Sequence, residues 1–121
     1  MTLRQEQSAF TRDITRLLVY LAGKGYEVTL GEAHRTVDQQ RLHIAAGRSL
    51  TMNSQHLKRL ALDLNIFLDG RLIQTKAELQ EIGDFWEGLD PGKNVWGGNW
   101  KRFVDTPHFE RKGYWLITNM A

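Results

Sequence analysis

The sequence of 121 residues contains no cysteine, and this absence excludes several classes of site at once. Disulfides, thiolate zinc sites, iron–sulfur clusters and cysteine nucleophiles all require a thiol group. Any metal ion must therefore be held by carboxylates and by the four histidines of the chain. We expect such a site to be a hydrolytic centre with nitrogen and oxygen ligands rather than a structural thiolate centre.

The sequence also has little net charge and no long apolar run. Its 16 Lys and Arg residues and 14 Asp and Glu residues leave a net charge of +2, without a clustered basic stripe, so we expect no nucleic-acid partner. The longest apolar stretch near the N-terminus, Leu17–Ala22, is too short to span a membrane, and the first seven residues lack the pattern of a secretory signal. We therefore expect synthesis in the cytoplasm and no membrane insertion.

Hydrophobic periodicity and turn residues divide the chain into short elements. Phe10, Ile14 and Leu17 recur at helical spacing, and Gly23 ends that helix. The predicted order is this helix, a strand over 26–30, a helix over 37–46 capped by Thr36, a loop over 48–55, a strand over 60–68, a hairpin through Asp69 and Gly70 into 71–73, a helix over 75–89 capped by Thr75, an irregular loop over 91–100, and a strand over 108–116. We expect one α+β domain over 1–121, with a small, mostly antiparallel sheet flanked by about three helices.

Two short segments combine histidines with carboxylates, and both are candidates for a metal site. His56 and Asp63 are seven residues apart, which is ~10.5 Å along a helix or ~23 Å along a straight strand. Zinc ligand bonds measure only ~2.0–2.2 Å, so neither regular element can bring both residues to one ion. A chain reversal over Leu57–Leu60 would allow it. His108 and Asp105 form the second segment, three residues apart around Pro107.

The strand that carries Asp63 has two different faces. Leu60, Leu62, Leu64 and Ile66 alternate with Ala61, Asp63, Asn65 and Phe67. We expect the leucine face to belong to the core and Asp63 to lie on a half-open face that can reach a site. Each feature also has a simpler explanation: the histidines as surface or packing residues, Asp63 as an edge-strand charge, and Pro107-His108 as a turn.

Taken together, these residues resemble a known family. Ser54-x-His56-x6-Asp63 followed by Asp105-x-x-His108 is similar to the zinc peptidases that cut bacterial cell-wall peptides. These include D-Ala-D-Ala carboxypeptidases of the VanY kind and phage L-alanyl-D-glutamate endolysins, which share their fold with the hedgehog signalling domain. The segment over 96–110 resembles their C-terminal signature, and the segment over 32–49 resembles their substrate-side segment.

The resemblance implies a role for seven residues of this chain. His56, Asp63 and His108 correspond to the Zn²⁺ ligands, Asp105 to the acidic catalytic residue, Arg35 to the arginine that orients the substrate and stabilises the oxyanion, and Ser54 and Trp100 to substrate contacts.

Four positions depart from the family pattern or have no assigned role. Arg59 stands where the family often has glycine, and His34 where an aromatic residue is common. For His34, support of the site or a place in the cleft stays open beside the favoured interpretation as a packing residue, and we interpret His43 as structural. For Glu110, support of the site and a solvated charge or salt bridge stay open as alternatives.

The function implied by the resemblance is zinc-dependent cleavage of peptidoglycan stem peptides. We expect a monomeric L-alanyl-D-glutamate endopeptidase of the phage or prophage endolysin type, which reaches the cell wall through a holin-type lesion. Two alternatives stay open: a D-Ala-D-Ala carboxypeptidase, and a metal-containing binding module of the same fold without catalysis.

Overall fold

Three helices and five strands form residues 1–47 and 54–113, the part of the chain that the computed structural model describes. The helices are α1 (Leu3–Gly23), α2 (Val37–Ala45) and α3 (Lys76–Leu89). The strands are β1 (Glu27–Leu30), β2 (Ala61–Leu68), β3 (Arg71–Ile73), β4 (Asn94–Trp96) and β5 (His108–Arg111). Two short 3-10 helices, Gln55–Lys58 and Gly97–Asn99, precede β2 and follow β4. The predicted α+β class is confirmed.

The sheet is antiparallel throughout the described residues, and β2 is its central member. β2 pairs with β1, β3 and β5, and β5 also pairs with β4. The β2–β3 turn has φ of 51° at Asp69 and 76° at Gly70, which is the double positive φ of a type I′ hairpin. The hairpin predicted from these two residues is therefore confirmed.

A threonine caps the N-terminus of each of the three α-helices described above. The side chains of Thr2, Thr36 and Thr75 each accept a hydrogen bond from the backbone N–H three residues later. These bonds satisfy a helix N–H that would otherwise lack a partner, so a local sequence signal sets where each helix begins. The caps predicted at Thr36 and Thr75 are confirmed.

The core lies between α1, α3 and one face of the sheet. The leucine face of β2 is buried, as predicted, and Trp86 and Trp96 are both fully buried. The buried apolar residues of the core are Phe10, Ile14, Leu17, Leu21, Leu60, Leu62, Leu64, Ile66, Ile73, Leu79, Ile82, Trp86, Trp96 and Phe109. The opposite face of β2 is thereby left available for a site.

Two predicted boundaries are wrong. The predicted loop over 91–100 contains β4, because Val95 pairs with Glu110 and Trp96 with Phe109 across the sheet. The last strand ends at Arg111, and residues 112 and 113 are not in a strand. The rest of that predicted strand, and most of the predicted loop over 48–55, lie outside the described residues. Within the described chain, no helix has the length and hydrophobicity needed to cross a membrane.

Candidate metal centre

Three side chains that lie far apart in the sequence converge beside β2. The Nε2 atom of His56 and the Nδ1 atom of His108 each lie 3.3 Å from Oδ1 of Asp63. The ligand atoms of all three residues lie within 4.8 Å of one another. Both histidines are buried, and Asp63 is partly exposed. The structure therefore brings together the three residues that the sequence analysis predicted as metal ligands.

The spacing and chemistry of this cluster fit a zinc ion. In a tetrahedral site with bonds of ~2.0–2.1 Å, neighbouring ligand atoms lie about 3.3 Å apart. The two distances to the Asp63 oxygen have this length. Two imidazole nitrogens and one carboxylate oxygen also form the donor set of catalytic zinc sites, which keep a fourth position open.

A sharp reversal after His56 makes this convergence possible. His56 lies in the 3-10 helix Gln55–Lys58, and Arg59 follows it with φ of 56° in the left-handed region. The chain then enters β2, which carries Asp63. The predicted reversal is confirmed. The family's frequent glycine at position 59 also gains a physical reason, because glycine adopts this conformation without steric cost.

Strand register brings the other two candidate ligands together. Asp63 of β2 is the direct partner of His108 in β5, although 45 residues separate them in the chain. Directly opposed residues of antiparallel strands have Cβ atoms ~4.5–5.5 Å apart on the same face. Glu110 lies two residues after His108 and therefore projects from the same face of β5.

The backbone of residues 31–35 fixes Asp63 from the other side. The Gly31 N–H donates to the Asp63 carbonyl at 2.7 Å, and the Asp63 N–H donates to the Glu32 carbonyl at 2.9 Å. A Cβ atom on Gly31 would lie 3.1 Å from both the Cβ and the carbonyl oxygen of Asp63. Close backbone packing therefore favours glycine at this position.

The same segment holds His56. The Nδ1 atom of His56 lies 2.8 Å from the Ala33 carbonyl, and the Arg35 N–H donates to the His56 carbonyl at 3.1 Å. Since a carbonyl can only accept, Nδ1 must carry the proton. The other ring nitrogen, Nε2, faces Asp63 and is the one available to a metal ion, which would replace any proton there.

Glu110 gives His108 the opposite arrangement. Its Oε1 lies 2.6 Å from Nε2 of His108, which leaves Nδ1 facing Asp63. A carboxylate on the second ring nitrogen of a ligand histidine fixes the tautomer and raises the basicity of the other nitrogen. For Glu110, the geometry favours support of the site, through a salt bridge with His108, over a solvated charge.

Electrostatic interactions within the cluster favour the ionised form of Asp63 and the positively charged form of His108. Burial acts to raise the pKa of Asp63, but the hydrogen bonds with His108 and His56 outweigh it and hold that pKa well below its usual value. Burial acts to lower the pKa of His108, but Asp63 and Glu110 outweigh it and raise it to about 9. Without a metal, His108 is therefore an imidazolium, and a metal ion would replace its Nδ1 proton.

Asp105 is partly buried beside this cluster. Its N–H donates to the Gly97 carbonyl, and its own carbonyl accepts from the His108 N–H. Burial raises the pKa of Asp105, while the charges of His108, His56 and Arg35 act to lower it. The Trp96 indole N–H donates to the carbonyl of Thr106 at 2.8 Å and so anchors the turn between Asp105 and His108.

Arg35 is held in a dense polar network. Its Nε donates to Oε1 of Glu32 at 2.6 Å, and its Nη1 donates to Oε1 of Gln40 at 2.6 Å. A longer bond of 3.4 Å joins Nη1 to the Ser54 hydroxyl. Glu32 was not assigned a role from the sequence, although its spacing of three residues from Arg35 is the signal that could have indicated one.

The remaining candidate residues lie around the cluster in different ways. The Trp100 ring centroid is 4.8 Å from that of His108, so this side chain forms one wall of the site. The Ser54 hydroxyl accepts a bond from the His56 N–H and caps the 3-10 helix. His34 is exposed, so its interpretation as a packing residue is wrong. In this extended segment Arg35 faces the site and the preceding side chain faces solvent.

Comparison with known proteins shows which family the chain is similar to. A protein-family model described as D-alanyl-D-alanine carboxypeptidase matches residues 47–111. The L-alanyl-D-glutamate peptidase of Listeria phage A118 is 35% identical over 102 residues, and the match covers 82% of this chain. The chain spans only 36% of the length of that phage protein.

A solved structure shows the same likeness. The crystal structure of the Serratia marcescens L-Ala D-Glu endopeptidase ChiX has a TM-score of 0.69 and 27% sequence identity to this chain. The superposition covers 85% of this chain and 77% of the Serratia chain. Because the family model covers more than half of the sequence, including all three candidate ligands, the chain belongs to the D-alanyl-D-alanine carboxypeptidase family of M15 peptidases.

Proposed function

We propose that this chain is a zinc-dependent peptidase that cleaves the L-alanyl-D-glutamate bond of peptidoglycan stem peptides. The observation that carries the proposal is the cluster of His56, Asp63 and His108, whose ligand atoms lie within 4.8 Å of one another beside the Asp105 carboxyl. The phage and Serratia relatives, both named for L-Ala-D-Glu cleavage, support this choice of bond. The phage relative also supports a lytic role at the bacterial cell wall.

The chemistry divides between the metal and the side chains. A zinc ion held by His56, Asp63 and His108 would polarise the scissile carbonyl and lower the pKa of the attacking water. Asp105 accepts the proton from that water and returns it to the leaving amine. Burial raises the pKa of Asp105 in the metal-free chain. The double role requires a carboxyl that can both accept and return the proton.

The other side chains orient the peptide and stabilise developing charge. Arg35 supplies positive charge for the oxyanion that forms at the carbonyl, as resemblance to the family implies. Trp100 lies against His108 and offers an aromatic surface to the substrate. Ser54 bonds both to Arg35 and to the backbone of His56, so it couples the substrate side to the ligand side.

Digestion of purified peptidoglycan tests the proposal directly. We expect zinc-loaded protein to release fragments with a free amino-terminal D-Glu, detected by mass spectrometry, and chelation to abolish the release. Free D-Ala would instead support the second candidate, a D-Ala-D-Ala carboxypeptidase, which the description of the matching family favours. Intact muropeptides after incubation with zinc would contradict both.

Substitution of Asp105 separates catalysis from metal binding. Asp105→Ala should retain about one zinc per chain and lose activity by ~10²–10⁴-fold, the usual contribution of a general acid–base. Asp84→Ala is a matched control, because this exposed carboxylate lies on α3 and bonds only to Gln80 among the contacts described. Loss of zinc in the Asp105 variant would show that this residue is a ligand and that the assigned role is wrong.

A further inference from the structure

Glu32 is not a candidate ligand, but its carboxylate lies close to several residues of the site. Glu32 forms an ion pair with Arg35 through Nη2 and accepts a hydrogen bond from its Nε at 2.6 Å. The same carboxylate lies 3.8 Å from Nδ1 of His56 and 3.9 Å from Nε2 of His43. Glu32 therefore links the proposed substrate arginine, a candidate ligand and helix α2.

The ion pair between Arg35 and Glu32 is important because the Arg35 side chain is largely buried. The Arg35 side chain is 11% exposed, whereas Glu32 is 33% exposed. A largely buried guanidinium needs a counter-charge and hydrogen-bond acceptors, or it turns towards solvent. Gln40 supplies a neutral acceptor to Nη1, and among the described contacts of the guanidinium only Glu32 supplies negative charge.

The backbone holds Glu32 in place independently of its side chain. Its carbonyl accepts the Asp63 N–H at 2.9 Å, and the preceding Gly31 donates to the Asp63 carbonyl. The Glu32 carboxylate therefore projects from a segment that is hydrogen-bonded to a candidate ligand. A substitution of its side chain leaves these two backbone bonds intact, so its effect can be assigned to the carboxylate.

We propose that Glu32 is a positioning residue that clamps the Arg35 guanidinium in the orientation needed to stabilise the developing oxyanion. It acts through Arg35, neither as a metal ligand nor as a group that touches the substrate. This inference rests on the proposed function, because the oxyanion that Arg35 would stabilise forms only during peptide cleavage. It predicts that the carboxylate matters for turnover only while Arg35 is present.

A double-mutant cycle in the zinc-loaded protein tests this dependence. Glu32→Gln should lower kcat for stem-peptide cleavage by ~10–100-fold and change KM by less than ~3-fold, because a misplaced guanidinium weakens transition-state rather than ground-state contacts. In the Arg35→Met background the same substitution should change kcat by less than ~3-fold. Additive losses in the double variant would overturn the proposal.

Two readouts do not depend on cleavage. The visible spectrum of the cobalt-substituted protein should be the same for Glu32→Gln and the unaltered chain, because the ligands are untouched. A changed spectrum would overturn the assignment by showing that Glu32 acts on His56. In urea, Arg35→Met and Glu32→Gln should each lower the unfolding midpoint, and the double variant should unfold no earlier than Arg35→Met alone. An additive loss in the double variant would also overturn it.

Asp38→Asn is a matched control for loss of charge. Asp38 forms the same type of (i, i+3) pair with Arg41, but both side chains are exposed on α2. We expect this variant to keep kcat within ~2-fold, because an exposed pair contributes little. If the unaltered chain does not cleave stem peptides, the proposed function fails, and the urea cycle still decides whether Glu32 clamps Arg35.

Discussion

Replacement of Glu110 is the most direct test of the electrostatic interactions at the candidate metal site. Its Oε1 lies 2.6 Å from Nε2 of His108, and the two side chains are only 13% and 5% exposed. Glu110→Gln keeps an acceptor for the imidazole N–H but removes the charge. Glu110→Ala removes both and leaves a buried N–H without this partner. Loss of a carboxylate behind a ligand histidine typically weakens zinc binding by ~10–100-fold.

The structure orders the two variants within this range. We expect Glu110→Gln near the tenfold end and Glu110→Ala near the hundredfold end, which correspond to about 1.4 and 2.8 kcal/mol. Competition with a chromophoric chelator at fixed pH measures both affinities. Glu78→Gln is the control, because it removes a charge whose ion pair with Arg71 lies at the surface, away from the site. Unchanged zinc affinity in Glu110→Ala would refute the reasoning.

Three further predictions concern stability. Gly83→Ala should lower the free energy of unfolding in urea by about 1–3 kcal/mol, because the new Cβ would overlap the buried Trp96 indole. Gly88→Ala, with nothing within 4 Å of the new Cβ, should raise it by about 0.5–1 kcal/mol. Arg111→Met should lower the free energy of unfolding in urea by about 3 kcal/mol, because it leaves the buried Glu6 carboxylate without its main partner. A decrease below ~1 kcal/mol would contradict this prediction. In metal-free protein, the raised pKa of His108 adds stability that is fully present below its unfolded pKa of ~6.5 and is lost as pH rises through about 9. Urea midpoints of chelator-treated protein from pH 6 to 10 should therefore fall over this window, and zinc should reduce the fall.

The elements whose signals are local could be predicted from the sequence. Threonine caps mark the starts of α2 and α3, and Asp69-Gly70 marks the hairpin, because each depends on residues within a few positions. Strand β4 was missed because it has only three residues and its pairing with β5 supplies its stability. Val95 and Trp96 favour a strand, but three residues are too few to show an alternating pattern.

The chemistry of the site divides in the same way. The sequence by itself determined which donors are available: a chain without cysteine must use histidine and carboxylate, and the spacing of His56 and Asp63 required a reversal between them. It also placed Asp63 on the face of β2 that the leucine core leaves free.

Only the tertiary structure decided how those donors are used. The β2–β5 register sets Asp63 opposite His108 across 45 residues of chain and puts Glu110 on the same face. The Ala33 carbonyl and the Glu110 carboxylate determine which nitrogen of each imidazole faces Asp63, and Glu32 accepts a hydrogen bond from Arg35. These contacts join residues from separate elements, and the packing of the whole chain, rather than any local pattern, determines their distances.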